Sequence, residues 1–264
     1  KLGEGSVKFD EQNASGDSAN CTTIVSGFVS TGVDLILANA TAPLQAAAQA
    51  TADIPVLGTS VTDYATALDI SDWTGTVGNN ISGTSDLAPL DQQAAMIQEM
   101  FPNAKTVGLL YCSAEPNSVY QCDVIEGYLT EMGLETTRYA FTDTNDVTSV
   151  TQAAAAASDV IYIPTDNTAA SNTEAIANVV IPEKVPVVAG EEGICKGCGV
   201  AALSISYYDL GYKTGEMAAE ILADGADVST MPVAFAPNVT KKYNAANCEA
   251  LGITPPDGYE AIAD

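Results

Sequence analysis

"VDLILANATAPLQAAAQATADIPVLGTS", residues 33–60, is an apolar run, an Ala-rich stretch and a second apolar run. Read as the strand "VDLILANA", the helix "PLQAAAQAT" and the strand "IPVLGTS", it makes one βαβ unit. Strands this continuously apolar belong to a parallel sheet with helices on both faces.

The alternation continues on either side. Upstream, "VKFDEQNA" reads as a strand and residues 20–30 as an amphipathic helix. Downstream, residues 69–83 ("DISDWTGTVGNNISG") collect Gly, Asn, Ser and Asp, as a surface loop or linker does. The pattern then restarts. "LDQQAAMIQEMF", "SVYQCDVIEGYLTEMG", "DVTSVTQAAAAA" and "TAASNTEAIANVV" read as helices; "TVGLLYC", "ETTRYAF", "DVIYIPT" and "VPVVAG" read as strands. After residue 200 come "VAALSIS", a long helix stopped by Gly225, the strand "MPVAFAP" and a helix around "YNAANCEALG". Two sets of βα units separated by a linker predict an α/β protein of two doubly wound, Rossmann-like lobes with parallel sheets joined by a hinge. The expected division is residues 1–85 plus about 201–228 for the first lobe, and 86–200 plus about 229–264 for the second.

Composition narrows the chemistry. The 264 residues carry 34 acidic and 9 basic side chains, a net charge of -25. Such a surface repels phosphate backbones and anionic headgroups, so nucleic acid is not an expected partner. Hydrophobic residues make up 47%, but no run approaches the roughly 18 apolar residues of a membrane span. The chain has no histidine, which removes Ser-His-Asp, Cys-His and His-metal sites. It also lacks the G-x-S-x-G, G-x-G-x-x-G and P-loop patterns. No nucleophile, base and orienting group can be named together, so catalysis is not expected, nor is any cofactor or metal.

In open parallel sheets, ligands bind beyond the carboxyl ends of the strands. Those ends in the first lobe carry Asn39, Thr41 and Ala42, then Thr59, Ser60, Val61, Thr62 and Tyr64. In the second they carry Ser113, Glu115, Asn117 and Ser118, then Asp166, Asn167 and Thr168, then Glu191 and Glu192. Hydroxyls, amides and acids without a basic residue suit a zwitterion: N–H groups and hydroxyls hold its carboxylate, Asp or Glu its ammonium. Each position taken singly is equally well read as a helix N-cap.

The segments "VDLILANATAPLQAAAQATADIPVLGTSVTD", "ISGTSDLAPLDQQAAMIQEMFPNAKTVGLLYCSAEPNS", "DVIYIPTDNTAAS", "VPVVAGEE" and "SISYYDLGYKTGEMAAEIL" together resemble the ABC transporter substrate-binding proteins associated with tryptophan and tyrosine uptake, over nearly the whole chain. The resemblance implies a type I periplasmic-binding-protein fold that closes on a small ligand and delivers it to a membrane permease. It implies a lipoprotein anchor and an extracytoplasmic location; a monomer is expected. Carried onto this sequence, residues 40–43 and 59–62 form a carboxylate site. "CSAEPNS" and "PTDNT" form a clamp with Asp166 as ammonium partner and Asn167 and Asn117 beside it, and Glu191 or Glu192 sits at the pocket edge. Members of the family usually begin with a strand and a helix ahead of "VKFDEQNASGD", and the opening "KLGEG" resembles the close of that helix, so the first βα unit is expected to be missing.

The expected ligand is a free amino acid, with Trp, Tyr or Phe favoured. Sugar sites in similar proteins stack Trp or Phe with Arg and Asp, and here the single Trp73 and single Arg138 lie away from the strand ends. Tyr64, Tyr207 and Tyr208 are candidates for an aromatic pocket or for the core. The alternatives are a binding protein for a sugar or other small solute, and a ligand-sensing regulatory domain. Of six cysteines, Cys195 and Cys198 form a C-x-x-C read as a tight disulfide or inert thiols in a turn, and Cys112 and Cys122 could brace the loop between them.

Overall fold

The computed structural model describes Gly3 and residues 5–263. The chain forms two compact units: residues 1–87 with 206–237, and 88–205 with 238–264.

The first unit begins with α1 (Ser18–Thr31), started by Asp17, whose carboxylate accepts from the N–H groups of Ala19 and Asn20, and stopped by left-handed Gly32. Then follow β1 (Ile36–Asn39), α2 (Thr41–Ala50), β2 (Val56–Val61), α3 (Tyr64–Leu68) and β3 (Ile81–Ser85). Their three strands pair in parallel, so the βαβ unit read at residues 33–60 is present. Segment 7–14 forms no strand, and Phe9 is exposed. Only Val7 and Phe9 alternate there before polar residues 10–13, too little apolar surface to hold a strand on a sheet. Conversely, β3 begins inside the stretch read as a linker. Its five residues, ISGTS, are all buried. Gly83 (φ 146°) lets β3 approach so closely that a Cβ there would lie 2.1 Å from the Gly58 carbonyl oxygen. Tyr64 fills the notch beside both glycines and donates to the Thr84 carbonyl, 3.1 Å away.

The second unit takes up the chain with α4 (Leu90–Met100), β4 (Thr106–Cys112), α5 (Pro116–Glu131), β5 (Glu135–Phe141), α6 (Val147–Ala157) and β6 (Val160–Ile163). It continues through α7 (Asn167–Ser171), α8 (Thr173–Val180), β7 (Val187–Ala189), α9 (Glu192–Gly197) and β8 (Ala201–Ile205). The stretch read as one helix after "PTD" is two, broken at Asn172. The chain then returns to the first unit for α10 (Tyr207–Asp224) and the short β9 (Ala234–Phe235), and ends in the second with β10 (Val239–Tyr243), α11 (Ala245–Leu251) and β11 (Glu260–Ala261).

The first sheet has the order β1-β2-β3-β9 and the second β11-β10-β8-β7-β6-β4-β5, parallel except where β10 meets β8. The returns therefore fall at 205/206 and 237/238, where the sequence placed them near 201 and 229. Residues 201–205 are buried and pair with β7, so they finish the second sheet before the chain leaves. Strands β4, β6, β7 and β8 are buried almost throughout. Their side chains pack with α6, α8 and α9 in a core that includes Phe141, Ile161, Ile163, Ile176 and Ile194.

Candidate functional site

In the first unit the carboxyl ends of β1, β2 and β3 are irregular. Two non-glycine residues have positive φ, Ala40 (90°) and Ser60 (52°). Such conformations cost about 1–3 kcal/mol each and gather at ligand sites. Ser60 lies where the β2–β3 register shifts between Gly58 and Val61, a bulge that turns its side chain out of the pleat. Ala40 hands the chain to α2, which starts at Thr41 and Ala42 with no side-chain cap. Thr41 is buried, Ala42 exposed and Ser60 half-buried.

Thr59 and Val61 face inward. Thr59 joins Thr84 and Thr214 in a buried hydroxyl cluster that ties α10 to the sheet, with oxygens 2.8–3.2 Å apart. Asp86, just past β3, was not anticipated because its strand was read as a linker. It is buried, and accepts from Thr62 Oγ1 and the Tyr207 hydroxyl, each at 3.0 Å.

In the second unit the loops after β4, β6 and β7 interlock. Asn117 Nδ2 and Gln121 Nε2 both donate to the Thr165 carbonyl, at 3.0 and 3.1 Å, and Thr165 N–H donates to Gln121 Oε1 at 3.0 Å. Gly190 packs so tightly on this turn that a Cβ would lie 2.6 Å from Thr165 N. Ser113, Glu115, Asn117, Ser118, Asp166, Asn167 and Glu191 are thereby brought to one end of one sheet.

Three of the acids there are largely committed. Asp166 is 1% exposed, and its carboxylate accepts from Cys112 N–H and Ala169 N–H, both at 2.7 Å. Burial first, then the nearby charge of Glu115, pushes its pKa up to about 6. Glu115 accepts from the N–H and side chain of both Asn167 and Thr168, at 2.7–3.0 Å. The first turn of α7 is thus satisfied by two carboxylates. Glu191 caps α9 through the N–H groups of Gly193 and Ile194, and burial raises its pKa. Glu192 receives the Ser204 hydroxyl at 2.6 Å.

Among the described residues no lysine or arginine bonds to these acids. Arg138 is occupied by Asp123 and Glu126, at 2.6 and 2.5 Å, and Lys241 by Glu99. Tyr64 belongs to the core, Tyr207 to Asp86, and Tyr208 is exposed and stacked on Tyr212, so these three do not line one pocket. All six cysteines are free and buried, without the bridges considered from the sequence. Cys195 lies in α9 and Cys198 at its C-cap, where burial pushes the Cys198 thiol up to about 12.

With this geometry in place, likeness to other proteins is informative. The family model for ABC transporter substrate binding proteins matches residues 3–264. A "Tyrosine-binding protein" of Clostridioides difficile is 36% identical over 227 residues, 86% of this chain and 65% of the relative. The chain therefore spans just under two thirds of that relative's length. An ABC domain from Streptococcus pneumonia, solved in complex with L-Trp, superposes with a TM-score of 0.92 at 32% identity, covering 98% of this chain and 91% of the other. A ligand-free, open substrate-binding protein with adhesive properties from Clostridium difficile superposes with a TM-score of 0.72 at 35% identity, over 98% and 89%.

Proposed function

Because the chain belongs to the family of ABC transporter substrate-binding proteins, whose fold is of the type I periplasmic-binding kind, we propose that it binds a free amino acid, aromatic by preference, and passes it to a permease without chemical change. The observation that carries this reading is the group of acids at the strand ends of the second unit, with no basic residue among the described residues bonded to them. A cationic group on the ligand offsets that repulsion. The relatives named for tyrosine and solved with L-Trp support an aromatic side chain.

The uncapped start of α2 at Thr41 and Ala42, with the Ser60 hydroxyl, suits the ligand's carboxylate. Ser113, Asn117, Asn167 and Glu191 border the strand-end face of the second unit. Thr59, Val61, Ser118, Glu115 and Asp166 act from beneath, holding those loops in shape. The protein works as a monomer outside the cytoplasmic membrane, carried on a lipid anchor. No helix among the described residues is long and apolar enough to cross a membrane.

A thermal-shift screen of the 20 amino acids and common sugars tests the proposal. A ligand at 100 times its Kd stabilises the folded state by about 2.7 kcal/mol. Tyrosine, tryptophan or phenylalanine should raise the Tm most. Stabilisation by sugars alone, or turnover of any added compound, would overturn the reading.

A further inference from the structure

We infer that Cys195 and Cys248 are an oxidisable pair, which a small disulfide such as oxidised glutathione joins across the contact between α9 and α11. The structure holds both as thiols. Neither takes part in the ligand binding proposed above.

Three of the six buried thiols gather towards the C-terminal end of α9: Cys195 within it, Cys198 at its C-cap, and Cys248 in α11. The start of α11 is fitted onto residues 195–200. Its cap residue Asn244 donates through Nδ2 to the Cys195 and Lys196 carbonyls, at 3.1 and 2.9 Å. Asn247 Nδ2 donates to the Gly199 carbonyl at 2.9 Å, and the Cys248 thiol to the Val200 carbonyl at 3.5 Å. Gly199 lies so close on Cys195 that a Cβ there would stand 2.8 Å from the Cys195 Cα. The Cys248 sulfur, bonded one residue further along, is therefore a neighbour of Cys195. The electrostatics agree. After burial, the charges of Cys198 and then Cys248 push the Cys195 thiol up, whereas burial and Glu191 act on Cys198. Cys195 is thus the thiol that the other two flank.

Cys248 is the point of entry. It is 3% exposed, against 0% for the other two, and burial raises its thiol to about 11, below the value of about 12 at Cys198. Its helix has seven residues, too few to persist alone, and opens more easily than a strand inside the sheet. On opening, Cys248 gives up its proton and the thiolate attacks one sulfur of oxidised glutathione. A bond forms between Cys248 Sγ and that sulfur, the glutathione S–S bond breaks, and one glutathione leaves as a thiolate that takes up the proton. Cys195, deprotonated in turn, attacks Cys248 Sγ and releases the second glutathione. Two protein thiols lose two electrons and two protons, and the added disulfide gains them. The new bond closes a loop holding β8, α10, β9 and β10, and so restricts the unfolded chain. Outside the cytoplasm such bonds persist.

Trypsin distinguishes the possible pairs, because Lys196 lies between Cys195 and Cys198. Cys195 falls on peptide 185–196, Cys198 on 197–213 and Cys248 on 243–264. The full chain is held with oxidised glutathione, then denatured, alkylated and digested without reduction. Mass spectrometry should find 185–196 joined to 243–264, lighter than their sum by two hydrogens. The Tm of the oxidised chain should be about 5–10 °C higher and return with dithiothreitol. Cys198→Ser should keep both the link and the shift, and Cys248→Ser should lose both. The wild-type peptide map decides by itself if a variant does not fold. A link from 197–213 to either peptide, a glutathione adduct on Cys248 that never resolves, or alkylation of all six thiols after the treatment overturns the assignment. None of these outcomes depends on which ligand the chain binds.

Discussion

Asp166 shows how a residue can be well placed for a ligand and yet serve the fold. Its two N–H partners belong to different elements, the end of β4 and the first turn of α7, so one carboxylate fixes one loop against another. The cost is electrostatic. Burial and Glu115 raise the pKa from 3.8 to about 6, so between these values the folded chain holds a proton that the unfolded chain has released. Stability from this group is therefore lost as pH rises from about 4 to about 6. Asp166→Asn removes that titration, and should flatten the dependence of unfolding free energy on pH across this window. It should also destabilise the chain near pH 4 by about 1–3 kcal/mol, because the amide NH2 faces a backbone N–H. Urea melts at half-unit pH steps read both, and an unaltered slope would show that Asp166 does not titrate there.

Among the elements, α7 is the most dependent on its surroundings. Five residues are too few for a helix to form alone, and its first three N–H groups are met by Glu115 and Asp166. Glu115→Ala should strip hydrogen-exchange protection from the amides of Asn167 and Thr168, leave β6 protected, and cost about 1–3 kcal/mol. Equal loss of protection across β6 would mean that the loop and the strand open as one body. The element also explains a limit of legibility. "PTDNT" announces a strand end and a helix start from local residue preferences alone. That Glu115, 52 residues from Asn167, meets two of these three N–H groups cannot be read from either segment.

At the scale of the whole molecule, charge dominates. A net of -25 makes the folded state self-repelling, and among the described residues few of the acids are paired with a cation. Raising the salt from about 0.01 to 0.15 M shortens the Debye length from about 30 to about 8 Å. The Tm should rise over that interval and level off beyond it, as differential scanning calorimetry would show. A falling Tm would mean that attractive pairs such as Arg138 with Glu126 outweigh the repulsion.

The sequence by itself determined the α/β class, the parallel βα units and the strand ends that carry polar residues, because hydrophobic period, caps and turn residues act over a few neighbouring positions. Tertiary structure alone decided which polar residues are committed. β3 was invisible as "ISGTS" because its hydroxyls are buried only by virtue of distant partners, Ser82 with the Met231 carbonyl and Thr84 with Thr214. Four acids looked alike in the sequence, and the fold separated them. Asp166, Glu115 and Glu191 were bound by backbone and side-chain donors, and Glu192 by the Ser204 hydroxyl, because a carboxylate's partners come from whichever loops the sheet brings beside it.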